Sequence, residues 1–331
     1  MERNEGALHD YIAAQQPNIC QITANKNGKT VYSDCWNGFV PADTLHVMSV
    51  TKSVVSLLLG VALDRGMIQS VDQPVLDFFP DYTLKRGEKT IQKVTLRHLL
   101  TMTAPYKYRS EPWTKVCTSP DWTIAALDLL GGKAGLTGAF RYSTLGIHIL
   151  TGVITKTSGM STVDFANRYL FGPLGIAPYR NYEARTAEEH KAFILSKEPK
   201  ANIWFCDPQG VGAAGYGLCM SARDMAKLGQ LCLDGGMYGE KRLLSAEWIA
   251  ESTKPRLQCD KTFAEMGYGY LWWTPDVHNR AYAALGNSGN AIYINPEQGT
   301  VVAVSATFKP NIFDRVQFIQ AYIEPLLEAK A

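Results

Sequence analysis

One serine and one lysine, three positions apart, give this chain its clearest chemical signal. Ser49-Val50-Thr51-Lys52 is the single S-x-x-K in the sequence. Positions i and i+3 share a face of a helix, which brings a hydroxyl and an amine within hydrogen-bond reach. A serine hydroxyl is a poor nucleophile until a base removes its proton, and a lysine in an apolar surround loses its charge near neutral pH and becomes such a base. The free N–H groups at a helix start also favour developing negative charge. The bland reading of the same residues is an N-cap serine and a lysine that snorkels to water. Their surroundings bear on the choice: Ser49 to Gly66 reads SVTKSVVSLLLGVALDRG, apolar nearly all round. That pattern predicts a helix buried on most faces, ending near Arg65-Gly66, where glycine takes a left-handed cap. Such a helix has little use for a lysine at its start unless the lysine has a partner or a role.

Other elements must hold this helix in place. Asn18 to Ala24 and Thr30 to Ser33 are β-prone runs around Asn25-Lys26-Asn27-Gly28, a hairpin signal; the chain is expected to open with sheet. Between about Asp72 and Trp248 helical patterns dominate: Thr95 to Thr101, Thr144 to Thr157, Ser161 to Leu170, Met225 to Leu233 behind the cap-like Ser221-Ala-Arg-Asp224, and Ser245 to Ser252. β patterns return at Tyr268 to Trp273, Ala281 to Leu285, Ala291 to Ile294 and Thr300 to Thr307, and Phe313 to Ala329 reads as a closing amphipathic helix. The fold class is α/β plus all-α. A discontinuous sheet domain is expected from residues 1–70 and 250–331, a mainly helical domain from 71–249, and the active site at their interface.

Composition narrows the partners. The 331 residues carry 33 basic and 31 acidic side chains, a net charge of +2 without a polybasic block. Nothing here draws nucleic acid or an anionic membrane by charge, and the most apolar stretch, Val54 to Leu63, is far short of the roughly 20 residues of a membrane helix. Met1 to Gln16 is acidic where a secretory signal would be basic and apolar, so the expected location is the cytoplasm. Seven cysteines without a C-x-x-C pair read as reduced thiols, most of them small core residues. The six histidines, His9, His46, His98, His148, His190 and His278, show no ligand spacing, so no metal is expected. Neither a P-loop nor the G-x-S-x-G of an α/β-hydrolase occurs, and no cofactor is called for.

Beyond its S-x-x-K, the segment Asp43-Thr-Leu-His-Val-Met-Ser49-Val-Thr-Lys52-Ser53 resembles the nucleophile segment of the serine β-lactamase and penicillin-binding-protein superfamily. The likeness is to the branch that holds class C β-lactamases, D,D-peptidases, short-chain esterases and nylon-oligomer hydrolases. It continues in order through Val71-Asp-Gln-Pro-Val75, Thr95 to Thr103, Phe140-Arg-Tyr-Ser-Thr-Leu-Gly146, Gly172-Pro-Leu-Gly175, Ser221-Ala-Arg-Asp224 and Gly286-Asn-Ser-Gly289, nearly the whole chain.

The resemblance implies a β-lactamase/transpeptidase-like fold and a set of roles. Ser49 would accept the acyl group, Lys52 would activate it, and Tyr142, at the tyrosine of the Y-x-N or Y-x-S element, would share the proton handling. The backbone N–H groups of Ser49 and Asn290 would form the oxyanion hole. Thr144, Asn287, Ser288 and Gly289 would line the substrate site, with Trp113, Tyr106 and Trp273 as further contacts; His148 would be packing. Two departures matter. Thr144 stands where asparagine is common, and Asn287 stands where the family carries lysine or histidine, a cation that helps hold a substrate carboxylate.

The function that follows is a serine hydrolase forming an acyl-enzyme on Ser49, acting on small ester or amide substrates, with weak or no β-lactamase activity. The alternatives are an inactive β-lactamase-fold binding or scaffold protein, a D,D-peptidase or true β-lactamase, and an amidase or transacylase whose acceptor is not water. The expected partner is a small molecule, not nucleic acid or membrane, and the sequence leaves the oligomeric state open.

Overall fold

The computed structural model describes residues 4–184, 186–276 and 280–328; His278 and the expected helix end at Ala329 lie outside them. The chain opens with a helix rather than with sheet. α1 (Glu5–Gln15) is started by Asn4, whose side chain accepts the Ala7 N–H, and it buries Leu8 and Ile12. Its apolar positions are few, so an amphipathic pattern was not visible in sequence. The hairpin follows as expected: β1 (Ile19–Lys26) and β2 (Lys29–Cys35) turn through Asn27 and Gly28, both at positive φ.

Six further strands complete one antiparallel sheet: β3 (Leu257–Gln258), β4 (Gly267–Tyr268), β5 (Trp273–Asp276), β6 (Ala281–Gly286), β7 (Asn290–Asn295) and β8 (Thr300–Ala306). The spatial order is β2-β1-β8-β7-β6-β5-β4-β3. Strands from the two ends of the sequence thus meet at the β1–β8 pair, Gln21 opposite Ser305 through Lys26 opposite Thr300. The run read as one strand from Tyr268 to Trp273 is two strands joined by a tight turn with Leu271 in the left-handed region.

β6, β7 and β8 are buried along their whole length, which explains why they read as continuous apolar runs instead of alternating ones. The closing helix, 316–328, is tied to β7 where Asn295 donates to Glu324 at 2.8 Å. Its expected regularity is interrupted by a π turn at Ile319–Ile323.

α2 (Val50–Asp64) is the central helix, with thirteen buried residues from Val50 to Ala62. Each fully buried Val or Leu contributes about 1.5–3 kcal/mol, so packing rather than propensity fixes this helix. α2 lies against β6 on one side and against α3 (His148–Ser158) on the other. α3 starts four residues later than its sequence pattern, because 144–147 form the turn that leads into it. α4 (Ala222–Leu233), capped by Ser221 accepting the Asp224 N–H, lies across β1, β7 and β8. Packing therefore sets this helix on the sheet side of the division drawn at residue 249. Among the described residues no helix is long and apolar enough to cross a membrane.

Candidate active site

Ser49 precedes the first residue of α2 and is half-buried. The residue before it, Met48, has φ 52°. A non-glycine residue in the left-handed region costs on the order of 1 kcal/mol, and here it swings the chain from the Leu45–His46 strand into the helix. Lys52, one turn on, is 2% exposed. Its Nζ lies 2.9 Å from Ser49 Oγ, 2.7 Å from the Gly215 carbonyl and 3.4 Å from Thr144 Oγ1. All three partners are neutral oxygens. Burial lowers the Lys52 pKa to about 7, with the negative charge of Glu111 opposing the drop.

The Gly215 carbonyl is itself held from both sides. His148 Nδ1 accepts the Ala214 N–H, and His46 Nε2 accepts the Gly217 N–H. A side chain at 215 would lie 2.4 Å from the Thr144 carbonyl, so glycine is what lets this loop reach Lys52. His148, expected to be packing, is fully buried against Trp122 and Tyr216 and also anchors this loop.

Tyr142 stands before the turn into α3. Lys52 Nζ is 4.7 Å from the centre of its ring. Burial raises the phenol's pKa and hydrogen bonding with Ser49 pulls it back, so Tyr142 is a neutral phenol beside Ser49. Its ring sits in an aromatic cluster with Phe263 at 5.5 Å and Trp273 at 5.9 Å. Trp273, expected as a substrate contact, is 2% exposed and packs against Tyr142. Tyr106 is also buried, with its ring over Gly146 and stacked on Tyr108. Trp113, by contrast, is 40% exposed and packs edge-on against Tyr216, next to Gly215.

The turn from Asn287 to Asn290 joins β6 to β7. Asn287 is exposed. Ser288 is fully buried, its hydroxyl accepting the Lys309 N–H at 2.9 Å and donating to the Lys309 carbonyl at 3.2 Å. Its side chain therefore braces the turn, and Gly289 packs against Arg315. Asn290 is buried too, with its amide bound to the backbone of Asn287 and Ala306. The strand residue that meets Ser49 is Gly286: a Cβ there would lie 2.5 Å from the Val47 carbonyl and 3.0 Å from the Ser49 backbone nitrogen. β5 pairs with β6 only as far as Ala283, so Ala284 to Gly286 run past the end of β5 at this point.

Residues from four distant stretches converge here: Ser49 and Lys52, then Tyr142 and Thr144, then Gly215, then Gly286. Glu111 was not foreseen. Its Oε1 accepts the Thr144 N–H at 2.6 Å and the Leu145 N–H at 2.9 Å. Its sole mark in sequence is an acidic residue before Pro112, which carries no pattern.

The convergence of an S-x-x-K helix, a buried lysine and a facing tyrosine agrees with comparison to known proteins, in which residues 21–321 match the family described as Beta-lactamase. The chain belongs to the β-lactamase family. Among its relatives, a 6-aminohexanoate-dimer hydrolase from Paenarthrobacter ureafaciens is 24% identical over 284 residues, covering 80% of this chain and 66% of the relative. This chain thus spans just under two thirds of that protein. The structure of the octameric penicillin-binding protein homologue from Pyrococcus abyssi superposes with a TM-score of 0.70 at 22% identity, over 98% of this chain and 76% of that one. A class C β-lactamase from Rhodobacter sphaeroides gives 0.69 at 19% identity, over 99% and 100%. At such identities the structures share the β-lactamase fold, a large antiparallel sheet with flanking helices.

Proposed function

We propose that this β-lactamase-family chain is a serine hydrolase that forms an acyl-enzyme on Ser49 and acts on small, uncharged esters or amides. The observation that carries the reading is the Lys52 amine, buried, 2.9 Å from the Ser49 hydroxyl and bound, among the described residues, to neutral oxygens. Such a lysine loses its proton near neutral pH and takes the one from Ser49. The serine oxygen then adds to the substrate carbonyl, and the resulting oxyanion is received by backbone N–H groups. Ser49 supplies one. For the second we favour Asn287 over Asn290, because Gly286, directly before Asn287, is the residue against the Ser49 backbone. One such donor is worth about 2.7–4 kcal/mol in a serine hydrolase.

Collapse of the intermediate expels an alcohol or amine, which takes a proton relayed from Lys52 through the Tyr142 hydroxyl. Water then attacks the acyl-enzyme by the same route in reverse and releases the acid. Two features support uncharged substrates: Asn287 where the family carries a cation, and the half-buried aromatic wall of Phe263 and Phe313 beside Tyr142. The name of the Paenarthrobacter relative supports amides within the range. Seven free thiols favour a reducing compartment, and we place the chain in the cytoplasm on that ground. The test is hydrolysis of chromogenic short-chain esters and anilides: turnover that Ser49→Ala abolishes supports the reading, and turnover that survives it contradicts it.

A further inference from the structure

We propose that Glu111 is a positioning residue of the Ser49 site: its carboxylate holds the Ser143–Leu145 turn that presents Tyr142 and supplies the negative charge that Lys52 faces. The inference rests on the acyl-enzyme reading and adds a residue to it. One oxygen, Oε1, takes four donors: the Thr144 N–H at 2.6 Å, the Leu145 N–H at 2.9 Å, the Ser143 hydroxyl at 3.0 Å and the Tyr108 hydroxyl at 3.3 Å. The Ser143 hydroxyl is also 2.7 Å from that of Tyr108 and accepts the Gly146 N–H. The turn after Tyr142 thus has its leading N–H groups gathered onto one side chain from another part of the chain. Hydrogen bonds to a carboxylate are about twice as strong as those between neutral groups.

The charge reaches the proton-handling pair as well. Among the described residues, the titratable groups that act on Lys52 or are acted on by it are Tyr142, whose ring lies under the amine; His148 on α3, kept neutral by burial; and Glu111. The Coulomb effect set against the burial of Lys52 comes from Glu111. It favours the protonated form of both Lys52 and Tyr142. The carboxylate therefore opposes the effect of burial and keeps the lysine near the point where it both accepts and returns a proton.

The two roles separate by mutation. Glu111→Gln keeps an oxygen for the turn and removes the charge, so the acid limb of kcat/KM for a chromogenic ester will move to lower pH by about half a unit or more. Glu111→Ala removes both, and kcat will fall tenfold or more while KM changes less; Glu111→Asp will restore part of that loss. Circular dichroism and thermal melts establish that each variant is folded, and if the alanine variant is not, the glutamine pH profile alone decides. A glutamine variant with the wild-type acid limb overturns the charge role, and a folded alanine variant with wild-type kcat overturns the positioning role. Failure of the underlying reading shows separately, as wild-type turnover that Ser49→Ala leaves intact.

Discussion

His148 Nδ1 accepts the backbone N–H of Ala214 at 3.2 Å, one residue before the carbonyl that binds Lys52. His46 serves Gly217 in the same way at 2.9 Å. Only a neutral ring nitrogen accepts, and burial lowers both histidines to about 3, with Lys52 adding to the effect at His148. An unfolded histidine titrates near 6.5. Between pH 6.5 and 3 the unfolded chain therefore binds protons that the folded chain does not. Stability from these two groups is complete above that window and is lost as pH falls through it. At about 1.4 kcal/mol per pKa unit, the loss amounts to several kcal/mol by pH 3. Urea midpoints will drop between pH 7 and 4, and His148→Gln will flatten the slope. A slope unchanged in that variant contradicts the assignment.

The rate will carry the signature of Lys52. With its pKa lowered to about 7 by burial, the amine is protonated and inactive as a base below that pH. kcat/KM for a neutral ester will rise with pH around a midpoint near 7. Lys52→Arg, whose guanidinium does not deprotonate, will lose about 10²–10⁴-fold in kcat. A wild-type profile flat from pH 5.5 to 8.5 assigns the base elsewhere.

Tyr142→Phe isolates the hydroxyl. The ring keeps its packing against Phe263 and Trp273, so the melting temperature will stay near wild type. kcat will fall about 10²–10⁴-fold, the range for loss of a general acid–base group. Loss of stability without loss of rate would make Tyr142 a packing residue.

Gly286→Ala tests how closely β6 approaches the nucleophile. The added methyl meets the Val47 carbonyl and the Ser49 nitrogen, and such overpacking costs about 1–3 kcal/mol. Displacement of the Ser49 N–H will lower kcat by about 10²–10³-fold, as for loss of one oxyanion donor. A variant with wild-type kcat would remove Gly286, and with it Asn287, from the oxyanion site.

Much of this was legible in the sequence because it was local. The S-x-x-K helix declared itself through an apolar run that left its lysine unexplained, and the Asn-Gly hairpin through turn chemistry. The ordered landmarks after Ser49 carried the fold. What stayed hidden depends on distant contact. Glu111 lies about thirty positions before the turn it holds, and the histidines that anchor the Gly215 loop lie 66 and 171 positions before the residues they bind. The resemblance points along the chain to Asn290 as an oxyanion donor, whereas the close approach to the Ser49 backbone is made across the fold by Gly286. Ser288, Tyr106 and Trp273 have polar or aromatic side chains that suit a ligand, yet in the structure all three are buried.

The central claim is a covalent intermediate on Ser49. Incubation with a serine-directed fluorophosphonate followed by intact-mass measurement will give one adduct per chain, mapped by peptide digestion to the segment that contains Ser49 and absent in Ser49→Ala. A chain that gains no mass, or gains the same mass in Ser49→Ala, would contradict the account.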